Sequence, residues 1–146
     1  MSRILLVDDN KNDVELAYAA FEENNLTSEV VLARDGQEAL DYLYRKGDYS
    51  SRKEGLPVVV LLDLKLPKLD GLEVLKRIKT DERLKSLPVV MLTSSREESD
   101  LQKSYEYGVN AYVVKPIDFK EFVNAIRQLE RFWTVVNQPP PQSDNL

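Results

Sequence analysis

The sequence predicts an α/β fold, a mostly parallel sheet with helices on both faces. Short apolar runs rich in β-branched residues alternate with stretches of helical periodicity, as repeated βα units do. Polar residues of matching chemistry follow those runs, where parallel strands would share a carboxyl edge. In chain order the reading gives strands at 3–7, 28–33, 57–62, 88–92 and 110–114, and helices at 11–24, 35–46, 71–79, 96–107 and 118–133. Ile4-Leu5-Leu6-Val7 runs into Asp8-Asp9, and Val58-Val59-Val60-Leu61-Leu62 runs into Asp63. Val89-Val90-Met91-Leu92 ends in Thr93, and Ala111-Tyr112-Val113-Val114 ends in Lys115-Pro116. The first helix sets Val14, Ala17, Tyr18 and Phe21 at i, i+3, i+4 and i+7, and the last sets Phe119, Phe122, Val123, Ile126 and Leu129 likewise. Both stripes face a core or a partner. The charge runs Lys76 to Lys85 and Arg96 to Asp100 read as solvated helix faces.

Two segments stand apart from this scaffold. Gly47 to Pro57 is polar and long for a connection between helix and strand, so it reads as a surface loop, either a partner contact or a tolerated insertion. After Trp133 a proline triplet favours an extended tail over 134–146, leaving one domain over 1–133.

Composition excludes several function classes. The 146 residues include no cysteine and no histidine, so disulfides, thiolate nucleophiles, the usual zinc ligands and histidine bases are all absent. Any chemistry must use oxygen and lysine. A net charge of −5 and a pI near 4.9 argue against nucleic acid and against an anionic membrane as partners. The apolar runs are too short to span a bilayer and the N-terminus lacks signal-peptide regions, so the expected location is the cytoplasm.

Asp8, Asp9 and Asp63 gathered at one sheet edge would repel one another without a cation. Mg²⁺ takes oxygen ligands and fits two or three close carboxylates. With the charge neutralised by a metal and by the Lys115 ammonium, one carboxylate could attack phosphorus, and Asp63, on the strand expected at the centre of the sheet, is the best placed. Singly, each residue has a plainer reading. Asp8 and Asp9 suit a helix start, Thr93 suits a cap, Lys115 suits a solvated turn and Tyr112 is a common strand aromatic. Their functional reading rests on the ensemble.

Together these residues resemble the receiver domain of two-component response regulators, over about residues 2–133. The carriers are Asp8-Asp9, Leu62-Asp63-Leu64-Lys65-Leu66-Pro67-Lys68-Leu69-Asp70-Gly71, Thr93-Ser94 and Lys115-Pro116. The resemblance implies a five-stranded parallel sheet of order 2-1-3-4-5, the flavodoxin-like arrangement. It also implies phosphorylation on Asp63 by a sensor histidine kinase, and Mg²⁺ held by Asp9, Asp63 and the Lys65 carbonyl, with Asp8 acting through water. Thr93 and Tyr112 would be the switch, Pro116 would follow a cis bond, and the face of helix four, strand five and helix five would read out to a downstream protein or phosphotransfer partner. A narrower resemblance, carried by the 47–57 loop, Leu64-Lys65-Leu66-Pro67-Lys68 and Leu129-Glu130-Arg131-Phe132-Trp133, is to single-domain regulators of bacterial phytochrome kinases. It implies a homodimer through the last strand and helix, with Phe132 or Trp133 as anchors.

Other classes stay open at this level. A haloacid-dehalogenase-like phosphohydrolase also uses a strand-end aspartate, but it needs a second aspartate where Lys65 stands. A pseudo-receiver would keep the fold without accepting phosphate. A nucleotide or flavin binder lacks its glycine-rich loop after strand one. The leading expectation is a switch and not a turnover enzyme.

Overall fold

The computed structural model describes residues 3–26, 30–115 and 118–131, apart from the side chains of 129–131. The element order is β1 (Ile4–Val7), α1 (Lys11–Glu23), β2 (Val30–Ala33), α2 (Gly36–Tyr44), β3 (Val59–Leu62), α3 (Gly71–Thr80), β4 (Val89–Thr93), α4 (Glu98–Glu106), β5 (Ala111–Val114) and α5 (Phe119–Arg131). All five strands are parallel, in the order β2-β1-β3-β4-β5, which is the arrangement the sequence implied. Pro116, Phe132, Trp133 and the 134–146 tail lie outside the described residues.

Alternation along the strands divides the core in two, because successive side chains point to opposite faces. Leu5, Val7, Val60, Leu62 and Met91 face one way and pack against Leu40 and Leu43 of α2 and Val74, Leu75 and Ile78 of α3. Ile4, Leu6, Val59, Leu61, Val90 and Leu92 face the other way and meet Ala17, Ala20 and Phe21 of α1 and Phe122, Val123 and Ile126 of α5. With both faces covered, the inner strands need no polar side, which is why they read as unbroken apolar runs.

Helix starts are set by short polar side chains. Asn10, Asp35 and Asp70 accept hydrogen bonds from the backbone N–H of Asp13, Glu38 and Glu73, satisfying donors that lack intrahelical partners. α2 stops at Tyr44, earlier than the sequence suggested, because Arg45 adopts a left-handed conformation (φ 57°) that ends the helix. The 47–57 segment is more ordered than its composition indicates. It opens with a short 3₁₀ turn, and the Tyr49 hydroxyl donates to Glu38 at 2.6 Å. Arg52 then donates to the carbonyls of Tyr42, Leu43, Glu54 and Gly55 while its guanidinium stacks 4.5 Å from the Tyr42 ring. One arginine thereby ties the loop to carbonyls in the last turn of α2.

Candidate functional site

The sheet ladder delivers the polar residues to one edge. Val7 pairs with Leu62, so the next residues along, Asp8 and Asp63, emerge from adjacent strands; Thr93 pairs with Val114, which brings Lys115 to the same edge from β5, on the far side of β4. The ladder continues one step into the site: the Asp63 N–H donates to Val7 O at 2.9 Å, and the Lys115 N–H to Thr93 O at 2.7 Å. This is the edge at which open parallel sheets carry ligands.

Asp8, Asp9 and Asp63 each offer a carboxylate oxygen, and these oxygens lie within 4.8 Å of one another. Asp8 and Asp63 are buried and Asp9 is exposed. An all-oxygen, anionic donor set of this kind, open on one side, fits a hard divalent cation that keeps some of its water. Lys65, two residues past Asp63, has an exposed side chain.

Lys115 is buried, with its ammonium 2.8 Å from Asp13, 3.0 Å from Asp8 and 3.7 Å from Asp63. Burial works against its charge, but the hydrogen bond to Asp13, followed by Asp63 and Asp8, raises its pKa above the ordinary lysine value. Asp63 has the opposite problem. Burial pushes its carboxyl up, Lys115 pulls it down, Asp8 pushes it up again, and the Thr93 hydroxyl and Leu64 N–H pull it down; the net shift is upward.

The backbone beside Asp63 is equally constrained. Gly71, the first residue of α3, donates its N–H to Leu64 O at 2.8 Å. A Cβ at this position would lie 2.2 Å from Asp63 O and 2.8 Å from Leu64 Cα, so only glycine lets α3 begin this close to the acidic edge.

Thr93 is fully buried at the end of β4, and its hydroxyl oxygen accepts from the Ser95 N–H at 3.2 Å. Tyr112 is half-buried against the core, and its hydroxyl donates to Ser95 O at 3.2 Å. Thr93 and Tyr112 therefore hold the same loop, from two neighbouring strands. Ser95 also donates to Asp100 at 2.6 Å, which fixes the start of α4.

Asp13 is the residue that sequence reading missed. It is an acid in the first turn of α1, and its carboxylate meets the ammonium of Lys115, 102 residues away. Nothing in its local sequence marks it, since its partner lies at the far end of the chain.

Comparison with known proteins agrees with this geometry. The family model of the response regulator receiver domain matches residues 4–127. The probable methanogenesis regulatory protein FilR2 of Methanothrix harundinacea is 43% identical over 137 residues, covering 94% of this chain and 86% of that protein. The response regulator Rcp1 of Synechocystis sp. is 40% identical over 130 residues, covering 89% and 87%. Among solved structures, the bacteriophytochrome response regulator RtBRR shares 59% identity at a TM-score of 0.79, over 98% of this chain and 86% of that one. The phosphorylated cyanobacterial phytochrome response regulator RcpA shares 40% at 0.84, over 96% and 99%. The Mn(2+)-bound form of Rcp1 shares 38% at 0.81, over 97% and 100%. With a match that runs from the first strand into the last helix, the chain belongs to the response regulator receiver domain family of two-component signalling.

Proposed function

We propose that this chain is a phosphoaccepting response regulator, modified on Asp63 by a sensor histidine kinase, with Mg²⁺ as its metal. The observation that carries the reading is the convergence of Asp8, Asp9 and Asp63 beside the buried Lys115 ammonium. In the transfer, an Asp63 carboxylate oxygen attacks the phosphorus of a phosphohistidine. A P–O bond forms, the P–N bond breaks, and the imidazole leaves with the electron pair. Lys115 is placed to balance charge on the transferred oxygens. Asp8, Asp9, Asp63 and the Lys65 carbonyl would hold Mg²⁺, whose contribution when bound is to neutralise phosphoryl charge. The Mn(2+)-bound form of Rcp1 and the phosphorylated form of RcpA support the metal and the modification.

A phosphoryl group adds about −1.5 to −2 charges and three acceptor oxygens. Thr93 would turn its hydroxyl toward them, drawing the Ser95 loop with it, and Tyr112 would follow through its bond to the same loop. The face of α4, β5 and α5 would read out the change to a downstream protein or a second copy. Among the described residues, the exposed large apolar side chains Leu101, Tyr105 and Phe119 belong to α4 and α5, which supports that choice. The names of RtBRR and RcpA make a bacterial phytochrome the candidate kinase.

The test is intact-mass spectrometry after incubation with Mg²⁺ and acetyl phosphate, with Asp63→Asn run alongside. One phosphoryl adduct, absent from the variant, is expected. No adduct with the small donor and none from a phosphorylated phytochrome kinase would make the chain a pseudo-receiver.

A further inference from the structure

Lys115 has three N–H donors, and its two shortest contacts are to Asp13 and Asp8. Asp63, the acceptor in the reading above on which this inference rests, is the most distant of its three acids at 3.7 Å. A phosphorylated Asp63 would present three new oxygens and more negative charge than either competing acid, so the ammonium would have to move toward it. One of its present contacts must then lengthen. The two are not equally costly to break. The Asp8 side chain is 4% exposed and its Oδ1 already accepts from the Asn10 N–H, so losing the lysine would leave its Oδ2 shielded from water. The Asp13 side chain is 34% exposed, at the mouth of a cleft it shares with Leu16, Leu92, Ser94 and Phe122, so water can take the lysine's place.

We infer that Asp13 is a positioning residue that holds Lys115 on the α1 side of the site in the resting state, and that its release is a step in forming the phosphorylated state. Asp13 then sets how readily the phosphoryl group captures the lysine. It lowers the occupancy of the active state and guards against partial activation. The ion pair works against the switch because a ligand shifts a two-state equilibrium only by its differential interaction with the two states, and Asp13 favours the resting one. No covalent step beyond the phosphoryl transfer is involved.

The experiment measures affinity for beryllofluoride, a phosphoryl analogue, by isothermal titration calorimetry at saturating Mg²⁺ on the full chain. Wild type, Asp13→Asn, Asp13→Glu, Lys115→Ala and the Asp13→Asn/Lys115→Ala double variant are compared. Asp13→Asn is expected to bind roughly three- to tenfold more tightly, the range given by losing one partly exposed charged hydrogen bond. Asp13→Glu, which keeps the charge, should stay near wild type. In the Lys115→Ala background Asp13→Asn should change nothing, which separates a lysine-directed role from a general effect of charge or folding. Unchanged or weaker binding by Asp13→Asn, tighter binding by Asp13→Glu, or a gain that survives in Lys115→Ala each overturns the inference while leaving Asp63 as acceptor. If wild type itself takes up neither beryllofluoride nor a phosphoryl group, the proposed function fails first.

Discussion

Burial holds the Asp63 carboxyl above the usual carboxylate range, and Asp8 adds to the effect while Lys115 and Thr93 oppose it. A carboxyl with a raised folded-state pKa binds its proton more tightly in the folded chain, so ionising it at neutral pH costs stability. Asp63→Asn removes that cost and should raise the thermal midpoint at pH 7 in metal-free buffer by a few degrees. The gain should shrink as pH falls through the raised pKa and be gone below about 3.9, the unfolded value. Calorimetry of both proteins from pH 3.5 to 7.5 checks this, and a less stable variant at pH 7 would mean that the Lys115 contact dominates. The same residue is thus costly to the empty fold and suited to accept a phosphoryl group or a metal. Lys115 has the reverse role: without it, Asp8 and Asp13 lose their shared cation.

Two element junctions decide the shape of the site and of the surface behind it. At the start of α3, Gly71→Ala would drive a methyl group into Asp63 O, and backbone cannot yield as a flexible side chain can. We expect a loss of about 1–3 kcal/mol, typical of overpacking, together with slower phosphorylation by acetyl phosphate. Denaturant melts and intact-mass time courses read the two effects separately. Behind the end of α2, Arg52→Ala would remove a donor from four carbonyls, two of which, those of Tyr42 and Glu54, keep a bond from Arg45, and would uncover the Tyr42 ring face. A cost of about 1–3 kcal/mol is expected, with faster hydrogen exchange confined to 47–57 and the end of α2. Phosphorylation should be unchanged, because this junction lies away from the acidic edge.

Across the whole molecule, protons held by the fold make alkaline pH the vulnerable direction. Burial, the hydrogen bond to Asp81 and that carboxylate's charge push the Tyr44 hydroxyl up to about 12, and Tyr49, partly buried and bonded to Glu38, moves the same way. Lys115 is also raised. An unfolded chain releases these protons near pH 10 for tyrosine and about 10.4 for lysine. The folded protein therefore holds more protons than the unfolded one above pH 10, and its stability should fall as pH climbs from about 10 to 12. Tyr44→Phe should flatten part of that decline, as thermal midpoints measured from pH 8 to 12 would show; an equal slope in both proteins would exclude Tyr44 as a source. No helix among the described residues is long and apolar enough to cross a membrane.

The sequence by itself determined the alternation of strands and helices and the sheet edge at which Asp8, Asp9, Asp63, Thr93 and Lys115 gather. Both are local properties: apolar runs mark strands covered on two faces, and a polar residue after each run marks its carboxyl end. The strand order needed the family resemblance, since alternation alone does not say which strands are neighbours. Only the tertiary structure decided the partners. Asp13 meets Lys115 because the long lysine side chain at the end of β5 reaches the first turn of α1, a relation between residues 102 apart that no local pattern encodes. Arg52 likewise reads as one charge in a polar loop until the fold sets the open end of α2 beneath it. Strands are written in the chain because each is made by its own residues; a contact between distant charges exists only once packing has brought them together and excluded the water between them.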